Sequence, residues 1–386
     1  MKKIIALLLS FILAVSVLTG CSSTSDEDEA VTTAEAATAA EEEETEEITA
    51  AESDTRVVTD LLGNSVTISS EIESVAITSW KGAFESFVLL GRLDLVTCMC
   101  DTSRYIWLKT IYPEIDDIPN YGSFNDVSIE ELIDLDPDII FSPQAASDAT
   151  EQMLELGLPV YVDGITTQDD PYQGFQDELV AIADLIGESE KAEEYLQWEE
   201  DLLNLIAERV ADIPDDEKKT VYLMRNSNTE TFNEQYIMGL AVSLAGGINV
   251  AADAFDDNFY GEVDAEQVVE WDPDYIFQYC VGYTGDELVT KYTELCEDER
   301  FSTLTAVTNG DVYIMPFGIQ TWGGAIESAL GVLVIAKTIY PDLFEDISIA
   351  DYAADFYATF LGYELTDEDW EYISYNCEGA NELVLD

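Results

Sequence analysis

The segment Val127-Ser-Ile-Glu-Glu-Leu-Ile-Asp-Leu-Asp-Pro-Asp-Ile-Ile-Phe141 returns 136 residues later as Val263-Asp-Ala-Glu-Gln-Val-Val-Glu-Trp-Asp-Pro-Asp-Tyr-Ile-Phe277, with seven of fifteen positions identical. A chain that carries one unit twice, a domain length apart, is constrained to two similar lobes. Each copy reads as a short amphipathic helix stopped by Asp-Pro, because Pro disfavours α geometry in the residue before it. A buried apolar strand follows in both.

Around these units, strand and helix alternate. The pattern predicts strands over 74–78, 93–98, 138–142 and 158–162 in the first half, and over 220–224, 248–252, 274–279 and 311–315 in the second. Helical segments such as 83–90, 147–156, 237–245 and 325–339 lie between them, and parallel α/β architecture follows. Residues 176–213 carry apolar positions at helical spacing with Gly187 as the sole interruption, which reads as a long bridging helix or a broken pair. The division is then an N-terminal α/β lobe over 56–175, a bridge over 176–213, and a C-terminal α/β lobe over 214–386 ending in an acidic extension. In such sheets ligands sit beyond the carboxyl ends of the strands, so the cleft between the lobes is the expected site.

At the N-terminus, Lys2 and Lys3 precede an apolar run too short to span a membrane comfortably, and Leu18-Thr-Gly-Cys21 closes it. Small residues directly before this Cys resemble the lipobox of bacterial lipoproteins. Residues 1–20 are therefore expected to be a signal peptide, with Cys21 the lipidation site. Residues 21–55 contain no aromatic residue and no Lys or Arg, and read as an acidic disordered tether. The expected location is outside the cytoplasm, lipid-anchored to the outer face of the cell membrane.

The whole chain has 15 Lys+Arg against 81 Asp+Glu and no His, a formal net charge of −66. Nucleic acid is excluded as a partner by that surface. The lack of His removes Ser-His-Asp and Cys-His catalysis, His-based zinc sites and His-ligated haem. Haem then needs Tyr, Met or Cys ligation, and bare iron needs Tyr and carboxylate oxygens.

Several further segments are similar, in this order, to one known family. They are the opening Val58-Thr-Asp-Leu-Leu-Gly-Asn-Ser-Val66, Glu85 six residues before Gly91, the two Glu…Asp-Pro-Asp units, Leu244-Ala-Gly-Gly-Ile-Asn-Val250, Leu304-Thr-Ala-Val-Thr-Asn-Gly-Asp-Val-Tyr313 and Ala336-Lys-Thr-Ile-Tyr-Pro-Asp-Leu-Phe344. Over about 56–344 the chain resembles the ABC-transporter substrate-binding lipoproteins of the iron-siderophore and cobalamin type, the helical-backbone periplasmic binding proteins. The resemblance implies two Rossmann-like lobes joined by a single long helix, little hinge motion, and delivery of an iron-siderophore or cobalamin-like chelate to an ABC permease and its ATPase. It also implies that Glu130 and Glu266, equivalent in the repeat, dock onto basic pockets of the permease. Two carboxylates, one per lobe, suit a two-fold partner on electrostatic grounds alone. The protein is expected to be a monomer without resident cofactor, the metal chelate being its cargo.

Ligand candidates follow the strand ends: Trp80 beside Lys81, Arg104, Tyr105, Trp107 and Gln144 in the first lobe, and Arg225, Tyr260, Tyr283 and Trp322 in the second. Aromatic faces and Arg forks suit a large, flat or anionic chelate. Trp80, Trp107 and Trp322 read equally as core or rim. Cys98, Cys100 and Cys280 read as small buried hydrophobes or as soft metal ligands meeting across the cleft. A haem or bare-metal binder of the same fold is one alternative. A carboxylate-dependent surface hydrolase is another, although no particular carboxylate pair is marked for it. The extension beyond Glu345 reads as an added helix or a flap over the cleft.

Overall fold

The computed structural model describes residues 54–78, 82–100, 105, 107–123, 126–143, 147–163, 171–256, 258–279, 286–374, 383 and 385, which belong to one unit. The expected signal peptide and nearly all of the tether lie outside them. An antiparallel hairpin of β1 (Thr55–Thr59) and β2 (Ser65–Ser69) comes first. The Asp60 carboxylate closes its turn by accepting from the backbone N–H groups of Leu62 and Asn64 and from the Asn64 amide.

The first half continues with β3 (Val75–Ile77), α1 (Ala83–Leu89), β4 (Val96–Met99), α2 (Leu108–Ile111), β5 (Gly122–Ser123), β6 (Asp126–Val127), α3 (Ile129–Leu135), β7 (Ile139–Pro143), α4 (Ser147–Glu155) and β8 (Val160–Asp163). Strands β4-β3-β7-β8 form a wholly parallel sheet in that order. Every residue of β3, β7 and β8 is buried, as parallel strands covered on both faces require. The strand expected over 93–98 begins only at Val96, after a 3₁₀ turn at Leu93–Leu95.

Two helices, α5 (Pro171–Ile186) and α6 (Ser189–Val210), connect the halves. The single bridging helix expected over 176–213 is thus a broken pair, and the cause is local. Gly187 takes φ 79°, and the Glu188 N–H reaches back 2.8 Å to the Ala183 carbonyl, the six-to-one bond of a Schellman stop. Arg56 donates to the freed Leu185 carbonyl at 2.6 Å. Helix α5 rests on α1 of the first half, while α6 packs with elements of the second half.

The second half comprises β9 (Thr220–Met224), β10 (Glu230–Phe232), α7 (Ile237–Leu244), β11 (Ile248–Asn249), β12 (Tyr260–Glu262), α8 (Ala265–Trp271), β13 (Tyr275–Gln278), α9 (Asp286–Cys296), α10 (Thr305–Asn309), β14 (Val312–Ile314), α11 (Ser328–Ile339), α12 (Ile349–Leu361) and α13 (Asp367–Ser374). Strands β9, β13 and β14 are parallel, β11 adds to the start of β9, and β10 and β12 extend the sheet antiparallel.

The repeat is preserved down to backbone angles. Asp136 and Asp272, at φ 50° and 40°, are the only non-glycine residues with positive φ among the described residues. Each ends its helix in the left-handed conformation, which Asp tolerates better than most side chains and which the following Pro permits. The second Asp of each unit ties the strand it opens to the neighbouring one. Asp138 accepts from the Glu73 and Ser74 N–H groups at 2.9 Å, and Asp274 accepts from the Thr220 N–H and hydroxyl at 2.9 and 3.0 Å.

Helix α11 is buried almost throughout, and Lys337 on it donates to the Ile347 carbonyl. Among the described residues no helix is long and apolar enough to cross a membrane. The acidic extension is structural: α12 lies on α11, and its Phe356 and Phe360 close on the Tyr195 and Trp198 rings of α6.

Candidate functional site

The carboxyl ends of the two sheets carry the residues with the most chemistry. Trp80, Lys81, Arg104, Gln144, Tyr283 and Cys280 follow β3, β4, β7 and β13 in the chain but lie outside the described residues. On the second sheet the described contacts gather around Arg225, the residue after β9. Its backbone N–H bonds the Glu230 carbonyl at 2.7 Å, its guanidinium pairs with the Glu230 carboxylate, and it lies 4.0 Å over the Tyr260 ring. Phe232 and Tyr236 stack at 5.4 Å, and Tyr236 and Phe259 at 4.9 Å, each pair within 17° of parallel. Tyr260 meets Phe259 edge-on at 5.2 Å and remains 39% exposed. An ion-paired guanidinium and a tier of flat rings, with Phe232 buried at its base, Tyr236 and Phe259 half-buried and Tyr260 exposed, therefore meet at one sheet end. Such a surface recognises a ligand with both a negative charge and a carbon framework.

Three other candidates are packed into the interior. Tyr105 is buried against Phe84 with ring centres 4.4 Å apart. Trp107 is 3% exposed; its indole N–H donates to Asp369 at 3.3 Å, and its ring meets Tyr357 and Tyr363 edge-on. Trp322 is buried beside Trp370, and its carbonyl accepts from the Tyr279 hydroxyl at 3.4 Å. Of the two readings open for Trp107 and Trp322, core and rim, both take the core one: neighbouring rings cover their faces.

Of the two readings for Cys98, buried hydrophobe and metal ligand, the surroundings match the first: it lies inside β4 in an apolar cluster with Ala76, Leu132, Ile140 and Met153, and burial pushes its thiol up to about 12. A thiol held neutral in such surroundings is a poor metal ligand. Cys100 is buried as well, and among the described residues no group of three His, Cys, Asp or Glu side chains is placed to hold a metal ion.

A buried polar seam runs through the interior between the bridging helices and the C-terminal helices. Glu327 accepts from the Ile319 and Gln320 N–H groups at 3.0 and 2.9 Å and from the Tyr357 hydroxyl. Burial raises its carboxyl to about 7 despite these donors. Glu199, also raised by burial to about 7, accepts from Gln176 at 2.8 Å and Tyr195 at 3.0 Å. Asp369 forms a reciprocal cap with Thr366 at the start of α13 and also accepts from Tyr363 and Trp107. Through Trp107, the C-terminal helices grip the first half just past its β4 loop. The only signal for this seam was the Thr366-x-x-Asp369 spacing of a capping box.

Glu130 and Glu266 are exposed in the first turns of α3 and α8, and neither forms an ion pair among the described residues.

Comparison with known proteins adds the following. The sequence profile of the family described as periplasmic binding protein matches residues 75–318. The molybdate-binding protein MolA of Haemophilus influenzae is 24% identical over 326 residues, 79% of this chain and 90% of that protein. Its molybdate-bound crystal structure superposes with a TM-score of 0.71 at 23% identity, covering 81% of this chain and 99% of that one. A cobalamin-binding protein of Halobacterium salinarum is 26% identical over 255 residues, 66% of each chain. The Fe(3+)-citrate-binding protein YfmC of Bacillus subtilis is 21% identical over 321 residues, 81% of this chain and 89% of that protein.

Proposed function

The chain belongs to the periplasmic binding protein family and is a solute-binding protein of an ABC importer, not an enzyme; from that premise we propose that its solute is an anionic organic chelate of iron. The observation that carries this reading is the Arg225 site, where a guanidinium held over Tyr260 stands beside the Phe232, Tyr236 and Phe259 stack. A bare oxyanion such as molybdate needs N–H and O–H donors and gains nothing from a tier of rings, whereas the ligand framework of a ferric chelate gains from both. Placement of basic residues supports it further. In a chain of net charge −66 with 15 Lys+Arg, Arg225 follows β9 directly, Lys81 comes four residues after β3 and Arg104 five residues after β4 in the sequence. Focusing scarce positive charge at one mouth attracts an anion that the rest of the surface repels.

In this reading the protein is a monomer tethered by lipid on Cys21 outside the cytoplasm. Trp80, Arg104 and Tyr283 complete the ligand wall with Arg225 and Tyr260, and Glu130 and Glu266 present the loaded protein to the permease. A corrinoid is the second reading, favoured by the same rings and by the cobalamin-binding relative. Isothermal titration of the chain with ferric citrate, a ferric catecholate, a ferric hydroxamate, cobalamin, haemin and molybdate separates them. One-to-one sub-micromolar binding of an anionic ferric chelate is expected, weakened at least about tenfold by Arg225→Gln, the loss of one charge-assisted contact. Tight binding of cobalamin with indifference to Arg225→Gln supports the corrinoid reading instead, and binding of molybdate alone refutes both.

A further inference from the structure

The duplicated helices share more than their glutamates. Among the described residues only ten large apolar side chains are exposed, and two of them, Ile133 at 47% and Val269 at 38%, occupy the same position of the repeat. Ile133 stands three residues after Glu130 and Val269 three residues after Glu266, so each pair shares one helix face. A further acid adjoins each aliphatic, Asp134 in α3 and Glu270 in α8, and both are exposed. Neither helix contains a Lys or Arg, and none of these four carboxylates forms an ion pair among the described residues.

An exposed Ile or Val on an isolated helix face needs no explanation. An exposed aliphatic kept between two carboxylates in both copies of a repeat, where half of the other positions have changed, does. The neighbouring positions show what relaxed placement looks like: Leu135 has become Trp271 and Glu131 has become Gln267. We propose that Ile133 and Val269 are paired apolar anchors that insert into two equivalent sockets of the importer's membrane component, each socket having an apolar floor and a basic rim. The inference rests on the importer reading above and adds to it: carboxylates at the rim steer and orient, and the aliphatics hold. Charge complementarity fixes the partner's chemistry, since acids flank the anchor on both sides. The doubling fixes its symmetry, because two like patches in one chain meet two like sockets only on a two-fold partner.

The two roles separate kinetically. Loss of a rim charge lowers the association rate, whereas loss of a buried anchor raises the dissociation rate. The probe is the cognate permease–ATPase pair reconstituted in nanodiscs, with the intact protein in solution and binding followed by biolayer interferometry. Ile133→Ser and Val269→Ser are each expected to raise the dissociation rate about tenfold at unchanged association rate, and together about a hundredfold, because distant sites add. Glu130→Gln and Glu266→Gln are expected to slow association and flatten its salt dependence. Solute affinity stays at the wild-type value in all four and melting temperature shifts little, since Glu130 and Glu266 are exposed and Ile133 and Val269 are only partly covered. Unchanged dissociation rates in both serine variants overturn the inference while leaving the importer reading intact. Failure of the wild-type protein to bind the importer overturns both. Sedimentation showing a dimer that Ile133→Ser dissociates gives the face to a second copy of the chain and overturns the assignment to the importer.

Discussion

Glu327 makes the interior of this protein sensitive to pH in a direction opposite to that of most native carboxylates. Its carboxyl, fully buried, has its pKa raised from 4.5 to about 7, with burial the dominant cause and the Tyr357, Gln320 and Ile319 donors offsetting part of it. The folded state therefore holds the proton more tightly than the unfolded chain. The stability this contributes is fully present below about pH 4.5 and is lost as pH rises through about 7. At 1.36 kcal/mol per pKa unit the loss is about 3 kcal/mol, to order of magnitude. Glu327→Gln removes that proton from the linkage while keeping shape and one acceptor; the Gln320 N–H then faces an amide N–H₂ or loses its partner, costing about 1–3 kcal/mol at every pH. Urea unfolding of both proteins from pH 4.5 to 8 reads the difference. The gap between them is expected to move by about 3 kcal/mol in favour of the variant as pH rises. A gap that stays constant across that range refutes the reasoning.

Other outcomes follow from the same geometry. Asp136→Gly is expected to be close to neutral, because relief of the left-handed conformation offsets the added chain entropy, whereas Asp272→Gly strips the acceptor from the Thr305 N–H and hydroxyl and costs about 1–2 kcal/mol more by denaturant melts. Asp369→Ala removes the reciprocal cap and the Trp107 contact together, a loss of about 2–3 kcal/mol, and the near-ultraviolet dichroism of Trp107 should weaken with it. Gly323→Ala would place a methyl group 2.1 Å from the buried Tyr279 ring, and an unchanged melting temperature would contradict the packing described.

The sequence carried a large part of this fold, and the parts it did not carry have identifiable causes. Strand β9 was legible as Thr220–Met224 because it is a continuous apolar run bounded by polar residues. The Asp-Pro-Asp units announced both helix stops, since Pro restricts the residue before it and Asp is one of few side chains that accept the resulting geometry. Strands β10 and β12, three residues each, are too short to show a period, and they pair by register rather than by composition. Gly187 was visible as an interruption, but apolar spacing continues on both sides of it, so periodicity alone did not choose between one helix and two. Arg225 was a candidate from its place after a predicted strand, whereas Tyr260, eight residues past the strand expected over 248–252, instead opens β12. Tyr236 was missed because it belongs to the start of α7, and only the fold stacks it on Phe232 and Phe259. The Trp107 to Asp369 contact spans 262 residues, and no local pattern encodes a partner at that distance.

The central claim, capture of an anionic ferric chelate against the Arg225 site, is tested most directly by crystals of the chain grown with ferric citrate and measured at the iron absorption edge. The expected result is a single anomalous iron peak between the carboxyl ends of the two sheets, with ligand density reaching the Arg225 guanidinium and the exposed Tyr260 ring. Iron bound elsewhere on the acidic surface, or an empty cleft at saturating chelate, contradicts it.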